Sequence, residues 1–158
     1  MNNGSVTLTI WVDDWQMQCC GQKFTPGGVV SWRLLEADPE DYADIVGSER
    51  ATEIDFREEH HGPGLERLTP TWLEVLTITE VHCRYEVPPA STAHVEYPVP
   101  GTTVLVPVRE ADKWAEARPG LRFAGYLVTA RRAPAVPDRA GNRGERRALT
   151  DSTQHDGP

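Results

Sequence analysis

The chain has 158 residues, 16 Lys/Arg against 24 Asp/Glu and a formal charge of −8. That length fits one domain able to bury a core without staples. The acid excess argues against nucleic acid and anionic membranes as partners of the main body.

The charge is uneven along the chain. Residues 1–130 carry 10 Lys/Arg against 20 Asp/Glu, whereas residues 131–158 carry 6 Arg against 4 acids. Thirteen Gly and thirteen Pro imply many turns. The longest apolar runs are only a few residues, so no segment is expected to span a membrane. Met1-Asn2-Asn3-Gly4-Ser5 lacks the positive and apolar regions of a signal peptide. Of the three cysteines, two are adjacent and close on each other only through a strained ring. They read as reduced thiols of a cytoplasmic protein.

In chain order, Leu8, Ile10 and Val12 alternate with Thr7, Thr9 and Trp11, a first strand with one core face. Asp13-Asp14 ends it, and residues 15–21 read as a loop or a bulged continuation. Thr25-Pro26-Gly27-Gly28 is a turn, and Val30, Trp32 and Leu34 alternate in a second strand, expected to pair with the first as a hairpin. Asp38-Pro39-Glu40-Asp41 starts a two-turn helix: an acidic N-cap, Pro at the first helical position, and acids favourable to the dipole. Tyr42, Ile45 and Val46 give its apolar stripe and Gly47 its cap. Thr52, Ile54 and Phe56 suggest a short third strand. Trp72 to Tyr85 is the longest strand, with a phase shift that places a bulge near Thr79. Residues 88–101 form an irregular connection. Val104, Val106 and Val108 make a strand that Pro107 pushes to a sheet edge. Glu110–Arg118 reads as a short helix carrying Trp114, and Leu121–Ala130 as the last strand. From Ala133 onward large apolar residues almost vanish, and the segment is expected to be disordered.

The expected architecture is therefore one mainly β domain over residues 6–132: a small bent antiparallel sheet, or a partly open barrel, with one or two short helices. Residues 133–158 form a tail.

Trp11-Val12-Asp13-Asp14-Trp15-Gln16-Met17-Gln18-Cys19-Cys20-Gly21, then Val30-Ser31-Trp32, Glu58-Glu59-His60-His61-Gly62 and Val81-His82-Cys83-Arg84-Tyr85 resemble an uncharacterised family of small actinobacterial proteins with a domain of unknown function. The resemblance covers roughly residues 6–130 and implies a bacterial cytosolic protein with no assigned activity. The Gly27-Gly28 entry into the second strand is also similar to small SH3-like barrels.

The chemistry-bearing residues fall in three clusters: Cys19-Cys20, His60-His61 and His82-Cys83. Thiolate and imidazole are the ligands zinc prefers, and four of them close a structural site. Gly21 frees the backbone behind Cys20, yet no Cys-x-x-Cys is present. Alternation along a strand lets only one of His82 and Cys83 join such a site. Within such a site Cys83 is the favoured member, because an inward ligand is shielded from water; outside one, Cys83 reads as a small core residue and His82 as an exposed, ion-paired side chain beside Glu80. The same residues allow a catalytic reading, in which a Cys activated by His, with Glu58 or Glu59 orienting the ring, serves a small enzyme or a redox sensor. No nucleophile elbow or phosphate loop supports an enzyme. Trp32 reads as core. Trp11 and Trp15 read as an aromatic platform beside Asp13 and Asp14 for a small ligand or a protein partner. The leading expectation is a binding or interaction module, with a Cys/His zinc site as its possible stabiliser.

Overall fold

The computed structural model describes residues 6–19 and 21–134. It is mainly β. Nine strands are distributed over a seven-stranded sheet and a small two-stranded one. They are β1 (Thr7–Asp13), β2 (Val29–Trp32), β3 (Leu34–Glu36), β4 (Phe56–Glu58), β5 (Thr71–Cys83), β6 (Tyr85–Glu86), β7 (Tyr97–Pro98), β8 (Val104–Val108) and β9 (Arg122–Arg132). Three short helices interrupt them, α1 (Asp14–Cys19), α2 (Ala43–Val46) and α3 (Ser48–Glu53). Cys20 and the tail from residue 135 lie outside the described residues. No helix among the described residues is long and apolar enough to cross a membrane.

The main sheet runs β2-β5-β9-β1-β4-β3, with β8 beside β5. Its two end strands, β2 and β3, are consecutive in the chain with only Arg33 between them. The sheet must therefore curl until its ends meet, giving a half-barrel held by chain continuity. Arg33 also ties in the neighbouring loop: its carbonyl accepts from Glu59 N–H at 3.1 Å, and its Nε donates to Leu68 O at 3.3 Å.

The expected hairpin between the first two strands does not form. β1 pairs antiparallel with β9 from Thr7↔Arg131 to Asp13↔Gly125, while β2 pairs with β5. The long apolar faces of β5 and β9 offer far more ladder and burial than the four residues of β2. Tertiary pairing thus outweighs sequence proximity. The sheet is also not wholly antiparallel, because β4 lies parallel to β1 at Ile10↔Phe56.

Both faces of β1 are covered, which alternation alone did not reveal. Leu8, Ile10 and Val12 enter the inner core with Leu73, Val75, Ile78, Tyr126 and Val128. Trp11 enters an outer core with Tyr42, Val46, Ala51, Ile54, Val81 and Cys83, under α2 and α3. Ahead of α2, Asp38 caps the Pro39–Asp41 turn by accepting from Glu40 N–H at 3.0 Å, and Gly47 ends α2 at φ 91°. Thr52, expected in a strand, belongs to α3; the strand starts at Phe56.

Two register breaks flank Thr79 in β5, and the one that changes the core-facing phase is the earlier. Register breaks occur between Val75 and Thr77 and between Val81 and His82. Leu73 and Val75 face the inner core before the first break, and Ile78 does so after it. The odd residues Val81 and Cys83 then serve the outer core. β8 sits at an edge, as Pro107 requires, paired only with β5. Glu110–Arg118 contains no helix. Ala111 instead bridges Phe24, and Tyr126 Oη both donates to Asp112 O and accepts from Asp112 N–H. A nine-residue helix is weak in isolation, and these tertiary bonds outcompete it.

Candidate functional site

The site grows from α1 and the segment after β4. Gln16 and Met17 point inward from α1, whereas Trp15 and Cys19 point out. Six residues with two core anchors show no helical stripe, so the sequence read as a loop. The helix docks through a buried polar network. Gln16, fully buried, donates from Nε2 to Glu59 Oε1 at 2.6 Å and accepts from His60 N–H at 3.3 Å. Glu59 Oε1 also accepts from His61 N–H at 3.2 Å, and Oε2 pairs with Arg57 Nη1 at 2.9 Å. This buried carboxylate is thus satisfied on both oxygens, as burial of a charge demands.

Two imidazoles stand on this base. His60 Nδ1 lies 2.8 Å from Glu58 Oε1. His61 Nε2 lies 3.4 Å from Cys19 Sγ, and its ring stacks on Trp15 at 5.9 Å between centroids, 28° from parallel. The two His rings are 4.6 Å apart. Burial pushes the Glu58 carboxyl above the usual range, and the His60 ring opposes the push. Beside them opens a cleft of about 630 Å³. Met17, Phe24, Val30, Trp32 and Trp72 give it apolar walls, and Glu58 and His60 a charged one. Gly21 passes against α1 so closely that a Cβ there would stand 2.6 Å from Met17 Sδ. Its small size serves helix packing.

The six residues expected to hold zinc are distributed as follows. Cys19 and His61 meet, and His60 adjoins them. His82 and Cys83 have other partners. His82, expected at the surface, is 1 % exposed; it pairs with Glu80 at 2.9 Å and packs on Phe123. The expected partner is right and the exposure wrong, because after the Leu76 shift even positions of β5 face the inner core. Cys83 lies in the outer core, where burial pushes its thiol up against the opposing Tyr85 hydrogen bond. Cys20 lies outside the described residues. Among the described residues, no group of three or more His, Cys, Asp and Glu is arranged to hold a metal ion.

Of the expected aromatic platform, only Trp15 is at the surface, 45 % exposed. Trp11 is buried beneath α2 and α3, its indole N–H donating to Asp13 Oδ1 at 2.8 Å. Burial pushes the Asp13 carboxyl up, the Trp11 indole opposes, and Glu59 adds to the push. Asp14 is also raised, chiefly by burial. Gln16, Met17 and the cleft walls were missed. The one available signal was the pairing of a Gln-rich turn with Glu58-Glu59-His60-His61.

Asp13 gives a pH prediction. A carboxyl raised by folding binds more protons folded than unfolded, so its stabilisation is present at low pH. It is lost as pH rises from the unfolded value through the folded one. Asp13→Asn keeps an acceptor for the indole and removes this titration. The melting temperature of the variant should therefore decline less steeply than that of the parent as pH rises above the ordinary Asp value of about 4. Parallel curves would show that Asp13 does not titrate there.

The fold and site together define a curled β domain with a cleft of mixed apolar and polar lining and an adjoining Cys/His cluster. The chain belongs to a family of unknown function (DUF6578), which matches residues 6–132. No curated protein and no solved structure matches it.

Proposed function

We propose that the domain is a binding module whose cleft takes a small ligand with an apolar body and one polar group. The observation that supports this reading is the cleft itself. Its volume of about 630 Å³ falls within the roughly 300–1,000 Å³ of ordinary small-molecule sites. Its aromatic and aliphatic walls match an apolar body, and the Glu58–His60 pair, with Lys23 also on the lining, supplies polar orienting contacts.

The test uses Nile red, an uncharged fluorophore with an apolar ring system and one carbonyl group. Folded protein should enhance its fluorescence saturably at one site. Trp72→Ala, at the rim, should weaken binding about tenfold, the equivalent of roughly 1.4 kcal/mol, and His60→Ala should do likewise. Melting curves recorded alongside confirm that the variants are folded. Non-saturable enhancement, or equal affinity in Trp72→Ala, would overturn the cleft reading.

A further inference from the structure

The cleft uses Glu58 and His60 and leaves the neighbouring Cys19–His61 pair without a role. This pair is built from two segments 42 residues apart in sequence, so it exists only because α1 docks on the turn after β4. The imidazole is held from several sides. Its main-chain N–H donates to Glu59, its ring stacks on Trp15, and the His60 ring lies beside it. Glu59 is itself fixed by Arg57 and Gln16. Cys19, by contrast, is exposed.

An accessible thiol within reach of a positioned imidazole has what nucleophilic sulfur chemistry requires: a base to take the proton and an open path for the electrophile. Cys83 has neither, being buried in the outer core. The surroundings also bear on the electrophile. The body over residues 1–130 is strongly acidic, and Asp14 stands at the start of the same helix. Such a field disfavours anionic reagents and favours neutral or cationic ones.

We propose that Cys19 is a thiol–disulfide exchange site, with His61 as its base and a neutral or cationic low-molecular-weight disulfide as its co-reactant. In the forward step His61 Nε2 takes the proton from Cys19 Sγ, and the sulfur attacks one sulfur of the small disulfide. A bond forms between Cys19 Sγ and that sulfur as the disulfide's own S–S bond breaks. The other half leaves as a thiolate and takes the proton from His61. Cys19 is thereby oxidised to a mixed disulfide, and the departing half is reduced to a thiol, so no further oxidant is needed. This site is independent of ligand binding in the cleft and stands or falls separately.

The experiment uses the full chain with Cys20→Ser, so that the fast signal reports Cys19, and follows thiol release from 4,4′-dithiodipyridine. One thiol should react in a fast phase without denaturant, and Cys83 only on unfolding. Cys19→Ser should abolish the fast phase. His61→Ala should slow it about tenfold or more, with partial rescue by added imidazole, a response that loss of structure would not give. His61→Asn provides a second variant should His61→Ala melt early. Cystamine should outpace glutathione disulfide at low salt, and the gap should narrow as salt screens the acidic field. A fast phase that survives Cys19→Ser, or a rate indifferent to His61 in both variants, would overturn the proposal. So would a thiol that reacts only after chelation, with about one equivalent of zinc released, since Cys19 would then be a metal ligand.

Discussion

Replacing Trp11 with alanine is expected to cost about 3–5 kcal/mol of stability, the range for truncating a buried aromatic side chain. Trp11 is 1 % exposed, and its ring meets Tyr42 at 5.4 Å between centroids, 49° apart. It is the largest side chain of the outer core, the layer that fastens α2 and α3 to the sheet. Its removal therefore opens a cavity and loosens both helices. The loss is also electrostatic. Asp13 would keep its burial and lose the indole donor that steadies its charge. Trp11→Phe keeps a six-membered ring in the outer core and loses the five-membered ring together with its N–H. That variant should fall between the parent and the alanine variant. Trp15→Ala is the control: at 45 % exposure it should cost less than about 1 kcal/mol. Urea unfolding followed by circular dichroism measures all three. Equal costs for Trp11→Ala and Trp15→Ala would contradict the burial of the outer face of β1.

Trp11 also shows where sequence patterns stop being informative. Alternation over residues 7–12 located β1 and its inner face correctly. The residues that cover the outer face lie some thirty to forty positions later, in two helices of four and six residues. A strand covered on both sides looks half-exposed until those helices are placed. The same blindness applies to His82, which is buried because a register break lies upstream. Local signals fared better where the chemistry itself is local. Asp38-Pro39 capped the first helical turn, Gly47 ended α2, Thr25–Gly28 made a turn, and Pro107 marked an edge. For the candidate site, the sequence pointed to Cys19 and His61 by residue type alone. The contact between them depends on Gln16 reaching Glu59, a pairing across 43 positions that no spacing rule encodes. The cleft was illegible for a similar reason, because its walls come from α1, the turn before β2, β2 itself and β5.

The outer face of β1 sets one further constraint, on β9. Glycine inside a strand ordinarily weakens it by roughly 0.5–1 kcal/mol relative to alanine, through the entropy it loses on folding. At an open strand position Gly→Ala therefore stabilises. Gly125 should behave in the opposite sense. It sits opposite Asp13 on β1 and Val81 on β5, and the Trp11 ring lies across it. A Cβ there would run into the Val12 carbonyl oxygen and stand 2.7 Å from Cζ2 of Trp11. The ring can shift a little, but the carbonyl belongs to the strand paired with β9 and cannot move without distorting that pairing. Steric strain must then exceed the entropic gain. Overpacking a filled core costs about 1–3 kcal/mol and occasionally more, and a backbone obstacle places Gly125→Ala at the upper end of that range. A double-mutant cycle with Trp11→Ala divides the strain between its two sources. If the ring carries part of it, the double variant will be less destabilised than the sum of the singles. The remainder belongs to the Val12 carbonyl. A Gly125→Ala protein within about 0.5 kcal/mol of the parent would mean that β1 and β9 do not approach as closely as this packing requires.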